Sequence, residues 1–177
     1  MRALVPAGSL LREDSADLVL VDVQWSLTTS SGPAGRDLYA AAHLPGAHHV
    51  DLDAELAGPP GPGGRHPMPT AHAVQEALRR CGAHATSRVV VYDQGPSYAA
   101  SRAWWVFRYF GVEDVRVLDG GLRAWAAAGG PVTADVPTPR PRRRSPPTAS
   151  SSTHGRPSAT GARPSRSTPL LGTSRAP

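Results

Sequence analysis

A parallel α/β sheet covered by helices is the fold class this sequence predicts, and three observations predict it. Short β-rich runs at residues 18–23 ("LVLVDV"), 88–93 ("RVVVYD") and 115–121 ("VRVLDGG") alternate with amphipathic helical patterns. These runs are largely apolar at successive positions, the mark of strands buried on both faces. The connections are short, and parallel neighbours need a crossover, so the order strand–turn–strand–helix–strand–helix–strand–helix implies one sheet of about four or five strands. Its binding crevice belongs at the carboxyl ends of the strands.

Each element follows from its residues. The run at 18–23 is the first strand. In "RDLYAAAHLPGAHHVDLD" a helical turn around 38–42 leads through "HLPG" to a strand at about 47–50. "GPPGPGG" has too few triplets for a collagen helix and reads as a rigid surface loop. "TAHAVQEALRRCGA" is a helix: Thr70 caps it, Val74, Leu78 and Cys81 share a face, and Gly82 ends it. The run at 88–93 is the clearest strand. It passes through a short loop into "YAASRAWWVFRYFG", a helix with Ala103, Trp104, Phe107 and Phe110 as its apolar stripe and Gly111 at its close. The run at 115–121 and the helix "LRAWAAAGG" complete the pattern, which stops at about residue 136.

Charge divides the 177 residues at the same place. Every basic residue is Arg. Residues 1–136 carry 11 Arg and all 14 acidic residues, a net of −3, whereas residues 137–177 carry 8 Arg and no acid, a net of +8. The formal +5 therefore describes the tail, and the domain at 1–136 is no basic nucleic-acid binder. The tail, with no aromatic residue and no periodicity, is expected to be disordered. Its composition is also what GC-rich DNA yields out of frame, so a frameshift near 137–145 is a reading of it. Translating the other two frames tests this, and failure of both to give a strand–loop–helix with Cys rejects it. A genuine basic tail would contact phosphates non-specifically, but it lacks aromatics for base stacking, so nucleic acid is not the expected partner. The single cysteine excludes an intramolecular disulfide, the amino terminus makes a poor signal peptide, and no apolar run reaches the ~18 residues of a membrane span. The expectation is a cytoplasmic protein away from the membrane.

Four stretches, in order, resemble the rhodanese-like sulfurtransferases: "LVLVDVQW", "GRDLYAAAHLPGAHHVDLD", "RVVVYD…SRAWWVFRYFG" and "VRVLDGGLRAWAAAGGP". Ala42 stands where the family's "Y-x-x-G-H-I-P-G-A" signature usually has Gly, and Leu44 stands for Ile. The resemblance covers roughly residues 8–136. "LAGPPGPGGRHPMP" and "SRAWWVFRYFG" make the sequence similar to the amino-terminal half of two-domain thiosulfate or 3-mercaptopyruvate sulfurtransferases. There the second domain carries the persulfide cysteine, and the first has Asp at the matching place. The resemblance thus puts Asp93 at the family cysteine position and makes Asp93, Gln94, Gly95, Pro96, Ser97, Tyr98 and Ala99 a vestigial anion loop. It implies no cofactor, and as partners a small sulfur donor or a second rhodanese domain.

The chemistry agrees with that implication. Sulfur transfer of this kind needs a thiolate, which a carboxylate cannot replace. Asp93 can instead accept the loop's own N–H groups, while Pro96 removes one donor. An aspartate phosphatase would need a second acid after Asp93, where Gly95 stands; in "VDLDAEL" Glu55 fills the Thr/Val place. Asp51 and Asp53 could bind Mg²⁺, but a loop or turn role is expected. Cys81 is expected to pack as a small apolar residue. His48 and His49 point to opposite faces of a strand and no second ligand pair follows, so no metal site is expected. Arg36, His43 and Arg65 are candidates for an interface with a second domain, against simpler roles as surface arginines and a turn histidine. Trp104, Trp105, Phe107, Tyr109 and Phe110 read as core, or as a face toward a second domain.

Overall fold

The computed structural model describes residues 2–26, 34–62 and 64–137. It contains β1 (Leu4–Val5), α1 (Ala7–Leu10), β2 (Leu18–Asp22), α2 (Gly35–Ala41), β3 (His48–His49), α3 (Leu52–Glu55), α4 (Ala71–Arg80), β4 (Arg88–Tyr92), α5 (Tyr98–Tyr109), β5 (Val115–Leu118) and α6 (Gly121–Ala127). The five strands form a sheet of order β1-β5-β4-β2-β3, with every pairing parallel.

β4 shows why the sheet needs helices on both faces. Val89, Val90, Val91 and Tyr92 are all buried, and the side-chain period of two divides them between two cores. Val89 and Val91 join Val74, Ala77 and Cys81 from the α4 segment and Ala103, Val106 and Phe107 of α5. Val90 and Tyr92 join Leu10 of α1, Leu44, Leu118 and Trp125 of α6. The fold class thus agrees with the sequence reading. Thr70 Oγ1 caps α4 by accepting from Ala73 N at 3.2 Å.

The differences are at short elements. The helical turn expected at 38–42 begins at Gly35, the strand expected at 47–50 is reduced to His48–His49, and β1, α1 and α3 had no counterpart in the sequence pattern. The Gly/Pro loop is exposed at Pro59, Pro60, Gly61, Pro62 and Gly64, with Gly58 N donating to Pro67 O at 3.0 Å. The tail, with its expected disorder and frameshift, lies from residue 138 onward outside the described residues. Among the described residues no helix is long and apolar enough to cross a membrane.

The strand order fixes where a site can form. From β4 the chain crosses to β5 on one side, and from β2 it crosses to β3 on the other. The order reverses between β2 and β4, and their carboxyl ends open on a crevice there.

Candidate functional site

Asp93 follows β4 and is buried at that crevice. Its Oδ1 accepts from Gly95 N at 2.9 Å and Ser97 N at 3.0 Å, and its Oδ2 accepts from Ala99 N at 3.2 Å and Ala100 N at 3.3 Å. Ser97 is the N-cap of α5 but makes no side-chain cap bond, and its φ of 62° is the only positive value at a non-glycine among the described residues. Asp93 therefore caps the helix from four residues before its N-cap, satisfying first-turn donors that would otherwise be orphaned. A carboxylate suits the place because the helix start presents partial positive charge. Pro96 and Tyr98 are exposed in this loop; Tyr98 is 77% exposed. Gln94 ties the loop to the exit of β2: its Nε2 donates to Trp25 O at 2.6 Å.

A second group lies beside it, and the sequence reading missed it. Asp53 Oδ2 accepts from Trp25 Nε1 at 2.9 Å, and Asp53 Oδ1 lies 2.6 Å from His66 Nε2. An ionised carboxylate only accepts, so the hydrogen sits on Nε2 and Nδ1 is left as the basic nitrogen when the ring is neutral. Trp25 also packs edge-on to His66, with centroids 6.1 Å apart. Arg102 of α5 positions the loop that carries His66. Its Nη2 donates to the carbonyls of Pro67 at 2.9 Å, His66 at 3.0 Å and Leu56 at 3.2 Å. Trp25, Leu52, His66, Tyr98, Ala99 and Arg102 line a cleft of about 180 Å³. The one sequence signal for this group was Asp53, weighed as part of a phosphatase motif or a Mg²⁺ site and expected to take a loop or turn role. Asp51 instead caps α3, its Oδ1 accepting from Asp53 N at 2.9 Å and Ala54 N at 3.0 Å.

The other candidates separate from this site. Arg36 and Arg65 are exposed. His43, weighed as an interface candidate against a hydrogen-bonded turn histidine, has no exposed surface and fits the second of these. Its Nδ1 lies 2.7 Å from Tyr39 O, its Nε2 lies 3.1 Å from Asp135 O, and its ring stacks on Tyr39 at 3.9 Å. It is a packing residue inside its own domain. His49 Nδ1 lies 3.3 Å from Asp22 Oδ1, and no three potential metal ligands converge among the described residues. Phe107 is core, Trp104 and Phe110 pack against the core, and Trp105 and Tyr109 are exposed.

Cys81 is 1% exposed at the end of α4, and burial pushes its thiol up to about 12 despite the opposing field of Arg80. Tyr39 is likewise raised to about 12, by burial first and then by Asp22. Both groups hold their protons to higher pH when folded than when unfolded. Above the ordinary thiol value of 9.0 the unfolded chain binds fewer protons, so stability falls as pH rises from about 9 toward 12. Urea titrations across that range should show the fall, and Cys81→Ala should reduce its slope; a flat profile would contradict the assignment. At pH 8 the thiolate fraction is about one in ten thousand, so iodoacetamide should label Cys81 only in denaturant.

An α/β domain with its polar loop at the carboxyl end of the central strand, beside a strand-order reversal, is of the class that works at that crevice. Within that class the chain belongs to the rhodanese-like domain family, which residues 8–128 match. It is 42% identical over 122 residues to a Mycobacterium tuberculosis protein named as the thiosulfate sulfurtransferase SseB, covering 68% of this chain and 42% of that one. It is 36% identical over 149 residues to the human 3-mercaptopyruvate sulfurtransferase, covering 79% and 48%. The crystal structure of the 3-mercaptopyruvate sulfurtransferase SseA from Escherichia coli superposes with a TM-score of 0.71 at 27% identity, covering 80% of this chain and 53% of that one. The chain thus spans about half the length of these relatives, and the match falls on their amino-terminal half.

Proposed function

We propose that this chain is the half of a cytoplasmic sulfurtransferase that lacks the persulfide cysteine, the whole using thiosulfate or 3-mercaptopyruvate as donor and cyanide or a thiol as acceptor. One observation supports the reading: the Asp93 carboxylate, which the family resemblance aligns with the persulfide cysteine, consumes four loop N–H groups. A donor anion finds those hydrogen bonds already taken. The only thiol, Cys81, is buried and protonated. The chain alone therefore transfers no sulfur, and the reacting thiol comes from a second rhodanese domain.

The Asp53–His66 pair gives this half a part in the chemistry. A carboxylate-oriented imidazole is the base half of a nucleophile–base arrangement, and here it faces a cleft without a nucleophile. His66 takes or returns the proton of the partner's thiol or of its acceptor, and Asp53 orients the ring.

The test is sulfur transfer from sulfane-labelled thiosulfate and from 3-mercaptopyruvate to cyanide. The full chain alone should gain no label and form no thiocyanate above buffer; turnover lost in Cys81→Ser would overturn the reading. With a thiol-bearing rhodanese domain added, His66→Ala should lower transfer about 100-fold. An unchanged rate would remove the histidine from the mechanism.

A further inference from the structure

The side chain of Gln94 reaches across the crevice rather than into its own loop. Its Nε2 donates to Trp25 O at 2.6 Å, and its Oε1 accepts from Trp25 N at 3.4 Å. An amide side chain has one donor group and one acceptor, so it pairs with the Trp25 backbone as a neighbouring strand would, just past the end of β2. The Gln94 backbone is held from the other side, where its carbonyl accepts from Arg123 N of α6 at 3.2 Å.

Trp25 carries this contact onward. Its indole N–H donates to Asp53 Oδ2 at 2.9 Å, and its ring stands edge-on to His66. With Oδ2 taken by the indole, it is Oδ1 that meets His66 Nε2, at 2.6 Å. The Asp53 side chain is 55% exposed and that of His66 28%. A pair so open to water is weakly held by its own attraction, so its geometry depends on what else fixes each member. Arg102 fixes the backbone of the His66 loop, and the Trp25 indole fixes the carboxylate.

We infer that Gln94 is a positioning residue for His66, acting through Trp25. The inference rests on the part given to His66 in sulfur transfer. Gln94 does not line the His66 cleft, whereas Trp25 does, so its influence there passes through Trp25. Gln94 sets the Trp25 backbone, the indole selects the oxygen that Asp53 presents, and that oxygen keeps the His66 proton on Nε2 and the basic lone pair on Nδ1. The loop after β4, which offers no thiol of its own, then serves as the mount of the base.

The tautomer is read from long-range proton–nitrogen NMR spectra of the full chain at a pH where the ring is neutral. His66 should carry its proton on Nε2. Gln94→Met keeps the side-chain length and removes donor and acceptor; it should leave His66 a mixture of tautomers and speed exchange of the Trp25 indole N–H about fivefold, the loss of one net hydrogen bond. Gln94→Glu keeps the acceptor, loses the donor and should show the same changes. With a thiol-bearing rhodanese domain added, Gln94→Met should lower kcat about tenfold with KM unchanged. Trp25→Phe keeps a ring against His66 and deletes the indole donor, so the double variant should be no slower than the slower single one. A native His66 protonated on Nδ1, an unchanged tautomer in Gln94→Met, or losses that add in the double variant would overturn the inference. So would unfolding of both Gln94 variants, which would make Gln94 a folding residue. The spectra need no sulfur transfer: a tautomer change in Gln94→Met beside full transfer in His66→Ala would remove His66 from the reaction and leave the positioning standing.

Discussion

Asp93→Ala should destabilise the domain by about 3–5 kcal/mol. The substitution removes the acceptor of four backbone N–H groups at once. The donors at Ala99 and Ala100 belong to buried residues, and an orphaned buried donor costs about 1–3 kcal/mol. Water can reach the more open Gly95 and Ser97 and recover part of their loss. Asp93→Asn keeps one oxygen but turns an NH₂ toward two donors, so it should cost less, about 2 kcal/mol. Urea unfolding at neutral pH gives both values. A loss below about 1 kcal/mol for the alanine variant would mean that the carboxylate is not what holds the loop.

Gly121→Val should cost about as much, for a steric reason. Gly121 has φ of 58° at the start of α6, and a Cβ there would run into the carbonyl oxygen of Asp93 and the amide of Gly95. The approach is enforced by Leu122 N donating to Asp93 O at 2.9 Å and Arg123 N donating to Gln94 O at 3.2 Å. Neither backbone can yield without opening the junction between the two loops, so a loss above about 3 kcal/mol is expected. Gly46→Ala is the control: its φ is 77° but no atom lies within 4 Å of the added carbon, so about 1 kcal/mol of backbone strain is all it should show. Equal losses at the two sites would show that conformation, not crowding, decides.

The sequence revealed those elements whose own residues determine them. β4 is apolar at four consecutive positions and α4 carries its cap and its stripe, so both could be read locally. β1 and β3 are two residues long and exist because a neighbouring strand pairs with them, which no local period reports. The site divides in the same way. Asp93 stands at a strand–loop–helix junction and was visible as such. Asp53 and His66 lie 13 residues apart across a Gly/Pro loop, and Arg102 sets the path of that loop from 35 residues further on. His43 takes the simpler of the two roles weighed for it: stacking on Tyr39 and a carbonyl on each side seal it inside.

The pairing of β1 with β5 also governs how the chain reaches this structure. Leu4 is in register with Val117 and Val5 with Leu118, so β1 stays unpaired until the distant β5 has been made. Such a long-range closure raises contact order and slows folding, and until it forms one side of β5 is an open template for foreign strands. Synthesis is therefore the interval in which this domain is most exposed to aggregation.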